Sequence, residues 1–176
     1  NSTSATAALT TGDGNDVIYG LTDGLLTSGD VIDGAGGSDK VDAKITAAGQ
    51  TIKPSLTSVE TVAIEITAAN NQDPIIDLTN GTAVTSVTLT GVNSAADESD
   101  VLLKGVQVTD SVTIDTNMLG VNTWALATVT YDSVTGAADS ASLTVNDNIT
   151  SLVLNGLETL SITSETFSGA LTAQDV

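Results

Sequence analysis

The chain has 176 residues, of which 22 are acidic and only 4 are basic, all Lys, giving a formal net charge of −18. It contains no His and no Cys, and its only aromatic residues are one Trp, one Phe and two Tyr. That charge excludes nucleic acid and membrane surfaces as partners, because both demand cationic contacts, and the missing residue types exclude Ser–His–Asp and Cys–His catalysis, disulfides and thiolate metal sites. Self-repulsion at this level opposes compaction, so divalent cations are the natural neutralising partner, an acidic surface that binds nothing being the alternative, and the chain reads as one domain with an aliphatic core.

Residues 1–10 (NSTSATAALT) are small and uncharged. They read as an extended arm able to pair with a neighbouring molecule.

Residues 11–42 are rich in Gly and Asp. Thr11 to Tyr19 reads TGDGNDVIY, which departs only at its first position from the calcium nonapeptide G-G-x-G-x-D-x-U-x, with U a large apolar residue. Gly34 to Asp42 reads GAGGSDKVD and matches at Gly34, Gly37, Asp39 and Val41. Between them Leu25 to Asp33, LLTSGDVID, keeps only Asp30 and Ile32. Asp30 and Asp39 are thus one nonapeptide apart, and Asp16 and Asp30 one nonapeptide plus the insert Gly20 to Gly24. In each copy the first six positions form a turn, with glycines supplying left-handed backbone, and the last three form a strand whose apolar residue (Ile18, Ile32, Val41) points inward. Carbonyls and carboxylates from stacked turns can supply the six to eight hard oxygens, at about 2.3–2.6 Å, that Ca²⁺ requires.

Residues 43–176 alternate apolar residues with Thr or Ser, the signature of half-buried strands, and Thr recurs throughout the chain. A unit of Ser or Thr, apolar, any, apolar begins at Thr61, Ser86 and Ser111, at equal intervals, and again at Ser142, Ser151 and Thr159. The phrases VETVAIEIT (59–67) and LETLSITSE (157–165) echo each other, as do VTSVTLTG (84–91) and ITSLVLNG (149–156). A fixed period implies strands stacked as a solenoid; a β-sandwich of short strands is the alternative. Residues 94–100 and 117–127 could each hold a turn or short helix. Asp97, Glu98 and Asp100 form an acidic loop, and Asn146-Asp147-Asn148 a turn, both weaker metal candidates.

The turns of residues 11–42 resemble the RTX repeats of secreted bacterial proteins, and the later strands are similar in texture to surface-layer proteins of the Caulobacter type. The resemblance implies an all-β fold: a short calcium β-roll followed by a β-solenoid-like or sandwich stack. It implies Ca²⁺ ligation by Asp16, Asp39 and Asp30, with Asp13, Asn15, Gly12, Gly14, Gly34, Gly36 and Gly37 contributing side chains or carbonyls. Type I secretion, an extracellular or cell-surface location, and assembly with copies of itself into a lattice or filament are the corresponding expectations. Cell-surface polysaccharide is a further expected partner. The alternative is a calcium-stiffened module of a secreted adhesin, or the carrier portion of a secreted enzyme.

No enzyme is expected from the chain itself: there is no GxxxxGK[ST] loop, and aromatic platforms for sugars are nearly absent. No run approaches the roughly 18 apolar residues of a membrane span.

Overall fold

The computed structural model describes residues 8–21, 25–45, 49–67, 74–91, 101–115, 124–132, 140–146, 149–155, 157, 159–164 and 170–174. Among these residues there is no helix. The strands in chain order are β1 (Ala8–Thr10), β2 (Val17–Gly20), β3 (Val31–Asp33), β4 (Lys40–Ile45), β5 (Thr51–Ile52), β6 (Ser55–Thr57), β7 (Thr61–Ile66) and β8 (Ile75–Asp77). They continue with β9 (Ser86–Gly91), β10 (Val101–Val106), β11 (Ser111–Asp115), β12 (Trp124–Tyr131), β13 (Ser140–Asn146), β14 (Ile149–Asn155), β15 (Thr159–Ser164) and β16 (Ala170–Gln174).

Every strand pairing is parallel, and strands pair with the coil before and the coil after, never with their chain neighbour. The fold is a β-solenoid. Its faces are a seven-stranded sheet (β2-β4-β7-β9-β11-β13-β15), a six-stranded sheet (β5-β8-β10-β12-β14-β16) and a three-stranded sheet confined to the early coils (β1-β3-β6). The β-sandwich alternative is excluded, because sandwiches are built from antiparallel hairpins and Greek keys.

Alternation in the sequence becomes columns in the structure. Register places Ile18, Val41, Val62, Val87, Val112, Leu143 and Ile162 in one line down the long sheet. Ile52, Ile76, Leu103, Val129 and Leu154 form the facing line. One continuous cluster joins them: Ile76, Leu103, Val87 and Ile114 have no accessible surface. Ile18, Leu160 and Ile162, on the first and last strands of the long sheet, and Val108 pack against this cluster while remaining partly exposed. Burying each such aliphatic contributes about 1.5–3 kcal/mol, which is how a chain nearly without aromatics acquires a core.

The regular interval of the repeating unit is realised directly: Thr61, Ser86 and Ser111 are register partners. Ser142 continues that column, followed by Ser161. Two expected copies therefore move. Thr159 lies in β15 two residues ahead of Ser161 and pairs with Ser140, beside the column, and Ser151 falls in β14 on the other sheet. The coil is also not of fixed length. The step from Ser111 to Ser142 is longer than the step from Ser86 to Ser111, and the step from Ser142 to Ser161 is shorter.

Pro54 and Pro74 stand immediately before β6 and β8, where a residue without an N–H costs the ladder least. Gly105, at φ 76°, carries a bulge in β10 where pairing with β12 skips from Lys104 to Val106.

Two expectations are corrected here. The last residues of the supposed arm form β1, which pairs with β3 of the same chain. Residues 124–127, read as part of a turn or short helix, lie in β12. Residues 1–7, 94–100, 117–123 and 147–148 lie outside the described residues.

Candidate functional site

The two motif-matched turns, 11–16 and 34–39, stack one coil apart. Each leads into a strand of the long sheet, β2 and β4, as the nonapeptide requires. Gly14 and Gly37 have φ of 128° and 132°, a region open only to glycine at ordinary cost. Ala35 also adopts positive φ, 60°.

The turns are joined oxygen to amide. The Asp16 N–H donates to Asp39 Oδ1 at 2.7 Å, and the Ser38 N–H to Asn15 Oδ1 at 2.9 Å. The Gly14 N–H donates to the Gly36 carbonyl, beside a parallel bridge between Asp13 and Gly36, and the Lys40 N–H to the Asp16 carbonyl. The residue that departs from the motif has a role of its own. Thr11 donates its hydroxyl to the Gly34 carbonyl at 2.9 Å and its N–H to the Asp33 carbonyl. Asn15, Gly34 and Gly36 thus each commit an oxygen to holding the coils together, and each retains a further lone pair.

Asp39 stands apart from the other candidates. It is 1% exposed, and its Oδ2 is buried without a hydrogen-bond donor. A buried carboxylate oxygen left unsatisfied costs more than almost any other polar defect. Asp13 and Asp16 are at or near the surface, and Asp13 Oδ1 lies beside Gly36. Gly12 is exposed with open space around it.

Asp30 also closes a turn of its own. It precedes β3, with the whole of that strand and the next turn between it and Asp39. Its Oδ2 accepts the Thr27 N–H at 2.6 Å and the Thr27 hydroxyl at 3.2 Å, while its own N–H donates to the Thr27 carbonyl. The same closure recurs after β10, where Asp110 Oδ2 accepts the Gln107 N–H at 2.8 Å and the Asp110 N–H donates to the Gln107 carbonyl. Both acids are buried. Thr27–Asp30 and Gln107–Asp110 are one turn built twice, and closing it is the work of Asp30. Asp33 likewise caps its own turn, accepting from the Ala35 N–H, and Asp42 pairs with Lys40 at 2.9 Å.

Glu60 is the residue that sequence reasoning missed. It occupies the position of Asp16 and Asp39 in the next coil, directly before β7, and its Oε2 accepts the Asp39 N–H at 2.7 Å. Its carbonyl then receives the Thr85 and Ser86 N–H groups. The signal was present: an acid immediately ahead of the repeating unit that starts at Thr61.

Among the described residues, no three acidic side chains gather in metal-binding geometry, so a cation at these turns would draw largely on backbone oxygens. A cavity of about 600 Å³ opens into the first coil, lined by Leu9, Ile18, Leu26, Ile32 and Val41, with Asp16 and Asp30 at its wall.

Comparison with protein-family models, with curated proteins and with solved structures gives no match.

Proposed function

We propose that the chain is a calcium-dependent, self-assembling structural protein of a cell exterior, forming a lattice or filament. The observation that carries this reading is the register of the two Gly- and Asp-rich turns, which share a coil edge and leave Asp39 Oδ2 buried with no donor. Such an oxygen calls for a cation, and Ca²⁺ suits it: a hard ion that accepts carbonyl and carboxylate oxygens in flexible geometry. The residues that would hold it are Asp16, Asp39 and Asp13, with carbonyls from Gly12, Gly14 and the 34–37 turn.

Self-assembly is supported by the parallel edges. Among the described residues β2 and β15 bound the long sheet, and an edge strand presents unpaired backbone groups to another chain. Ca²⁺ would also reduce the repulsion of a −18 chain, in which Lys40, Lys44 and Lys53 are already paired, with Asp42, Glu65 and Asp77. Metal binding to such turns is coupled to folding. The test is circular dichroism and light scattering of the full chain at millimolar Ca²⁺ and in chelator. Stabilisation and ordered polymers with Ca²⁺ are expected. An unchanged melting curve in chelator overturns the calcium reading, and a persistent monomer at high concentration with Ca²⁺ overturns the assembly reading.

A further inference from the structure

The third coil carries no Gly- and Asp-rich turn, yet Asp39 is oriented toward it. Asp39 uses Oδ1 on the coil before, where it accepts from Asp16. Its free oxygen faces both its own turn and the third coil: Oδ2 is 2.5 Å from the position a Cβ on Gly34 would occupy, and the Ser58 carbonyl oxygen of the third coil crowds the same point. Gly34 is the residue that allows these two oxygens to approach one another. Ser58 is held at φ 51°, and just beyond it Glu60 Oε2 receives the Asp39 N–H. One buried carboxylate oxygen and one carbonyl therefore face a common point between coils two and three, and a second carboxylate sits on the Asp39 N–H.

We infer that this is a second divalent-cation site, formed by Asp39 Oδ2, the Ser58 carbonyl and the Glu60 carboxylate, and that Asp39 bridges it to the stacked motif turns. Two carboxylates match the charge of one Ca²⁺, and water completes the six to eight oxygens. The inference rests on the calcium reading above but assigns ligands to a coil that has no nonapeptide. It makes coil three part of the calcium-dependent unit, so that the ion couples the motif turns to the Thr-rich solenoid.

The test is calorimetric titration of the full chain with Ca²⁺ after chelation, comparing wild type with Glu60→Gln and Asp16→Asn. Gln keeps an oxygen for the Asp39 N–H while removing the charge. Glu60→Gln should weaken one binding step by about 10–100-fold, whereas Asp16→Asn should leave that step in place. If wild type binds no Ca²⁺, the functional reading falls and this site with it. If wild type binds and Glu60→Gln titrates identically, the functional reading stands and this site is wrong. Should Glu60→Gln fail to fold in chelator, wild-type crystals grown with Tb³⁺ decide: an anomalous peak in contact with Asp39 Oδ2 and the Ser58 carbonyl supports the site, and none there overturns it.

Discussion

Gly37 lies over Gly14 so closely that the Gly14 carbonyl occupies the place a Gly37 Cβ would take. Their φ angles differ by only a few degrees, so one turn is laid on another of the same shape. Gly37→Ala therefore combines a collision with backbone, which cannot swing aside, and a left-handed conformation that costs a non-glycine residue about 1–3 kcal/mol. Gly12→Ala meets nothing within 4 Å and should be close to neutral. Urea denaturation of both variants in chelator measures the difference without the contribution of bound ions.

Asp39 and Asp30 are separated by what they stabilise. Asp30→Ala removes the closure of its own turn and leaves the half-buried Thr27 N–H without that acceptor, at about 1–3 kcal/mol, equally with and without Ca²⁺. Asp39→Ala should instead shrink the gap between the melting temperatures measured with Ca²⁺ and with chelator. A comparable shrinkage in Asp30→Ala would return Asp30 to the ligand set.

Tyr131 is 3% exposed and its hydroxyl has no hydrogen-bond partner. Burial, aided by the nearby Asp110 charge, pushes its pKa from 10.0 up to about 12. A raised acid contributes stability that is fully present below its ordinary value and disappears as pH rises through the folded value. The fold should thus lose stability between pH 10 and about pH 12. Tyr131→Phe should remove that loss and, by deleting an unsatisfied hydroxyl, raise neutral-pH stability by about 1 kcal/mol. Thermal melts across the alkaline range test both statements.

Burial also raises the Asp110 carboxyl, against the opposing hydrogen bond from the Gln107 N–H. Its contribution is therefore present at acid pH and lost as pH rises through its folded value. Asp110→Asn keeps an oxygen for Gln107 and removes the desolvated charge. It should match wild type in acid, exceed it at neutral pH, and reduce the alkaline loss at Tyr131 by bringing its folded value closer to the ordinary one. Equal stability of the two proteins at neutral pH would contradict this account.

Leu103 has no accessible surface and sits mid-column between Ile76 and Val129. Leu103→Ala should cost about 2–5 kcal/mol. The loss should be the same with and without Ca²⁺, since this column lies on the six-stranded sheet and Asp16, Asp39 and Glu60 lead into strands of the seven-stranded one.

Roles set by a residue's own short neighbourhood were legible in the sequence. Alternation marked the inward face of β4, β7, β9 and β11, and the even spacing of Thr61, Ser86 and Ser111 marked the coil. Roles that depend on which coil lies beside which were not. Asp30 has the spacing of a ligand, yet the turn it closes onto Thr27 claims it first. Glu60 belongs to no motif, and only register brings it to Asp39. Thr159 and Ser151 look like further copies because Ser, Thr, Leu and Val recur too often for so short a unit to be unique. Residues 8–10 resemble a free arm because an edge strand of small residues and a disordered tail share one composition.

The coils in this solenoid are aligned by their strands and not by residue count, since a long stretch of chain delivers Ser142 and a short one Ser161 to a single column. Loop-closure entropy grows only slowly with length, so the corners are where length can change at little expense to the rungs. An insertion placed between two strands leaves the hydrophobic columns in register. One inserted inside a strand reverses which side chains face inward. Peptides grafted at the corners would accordingly be displayed at intervals set by the strand spacing of about 4.8 Å, making the molecule a ruler whose markings can be rewritten without altering its scale.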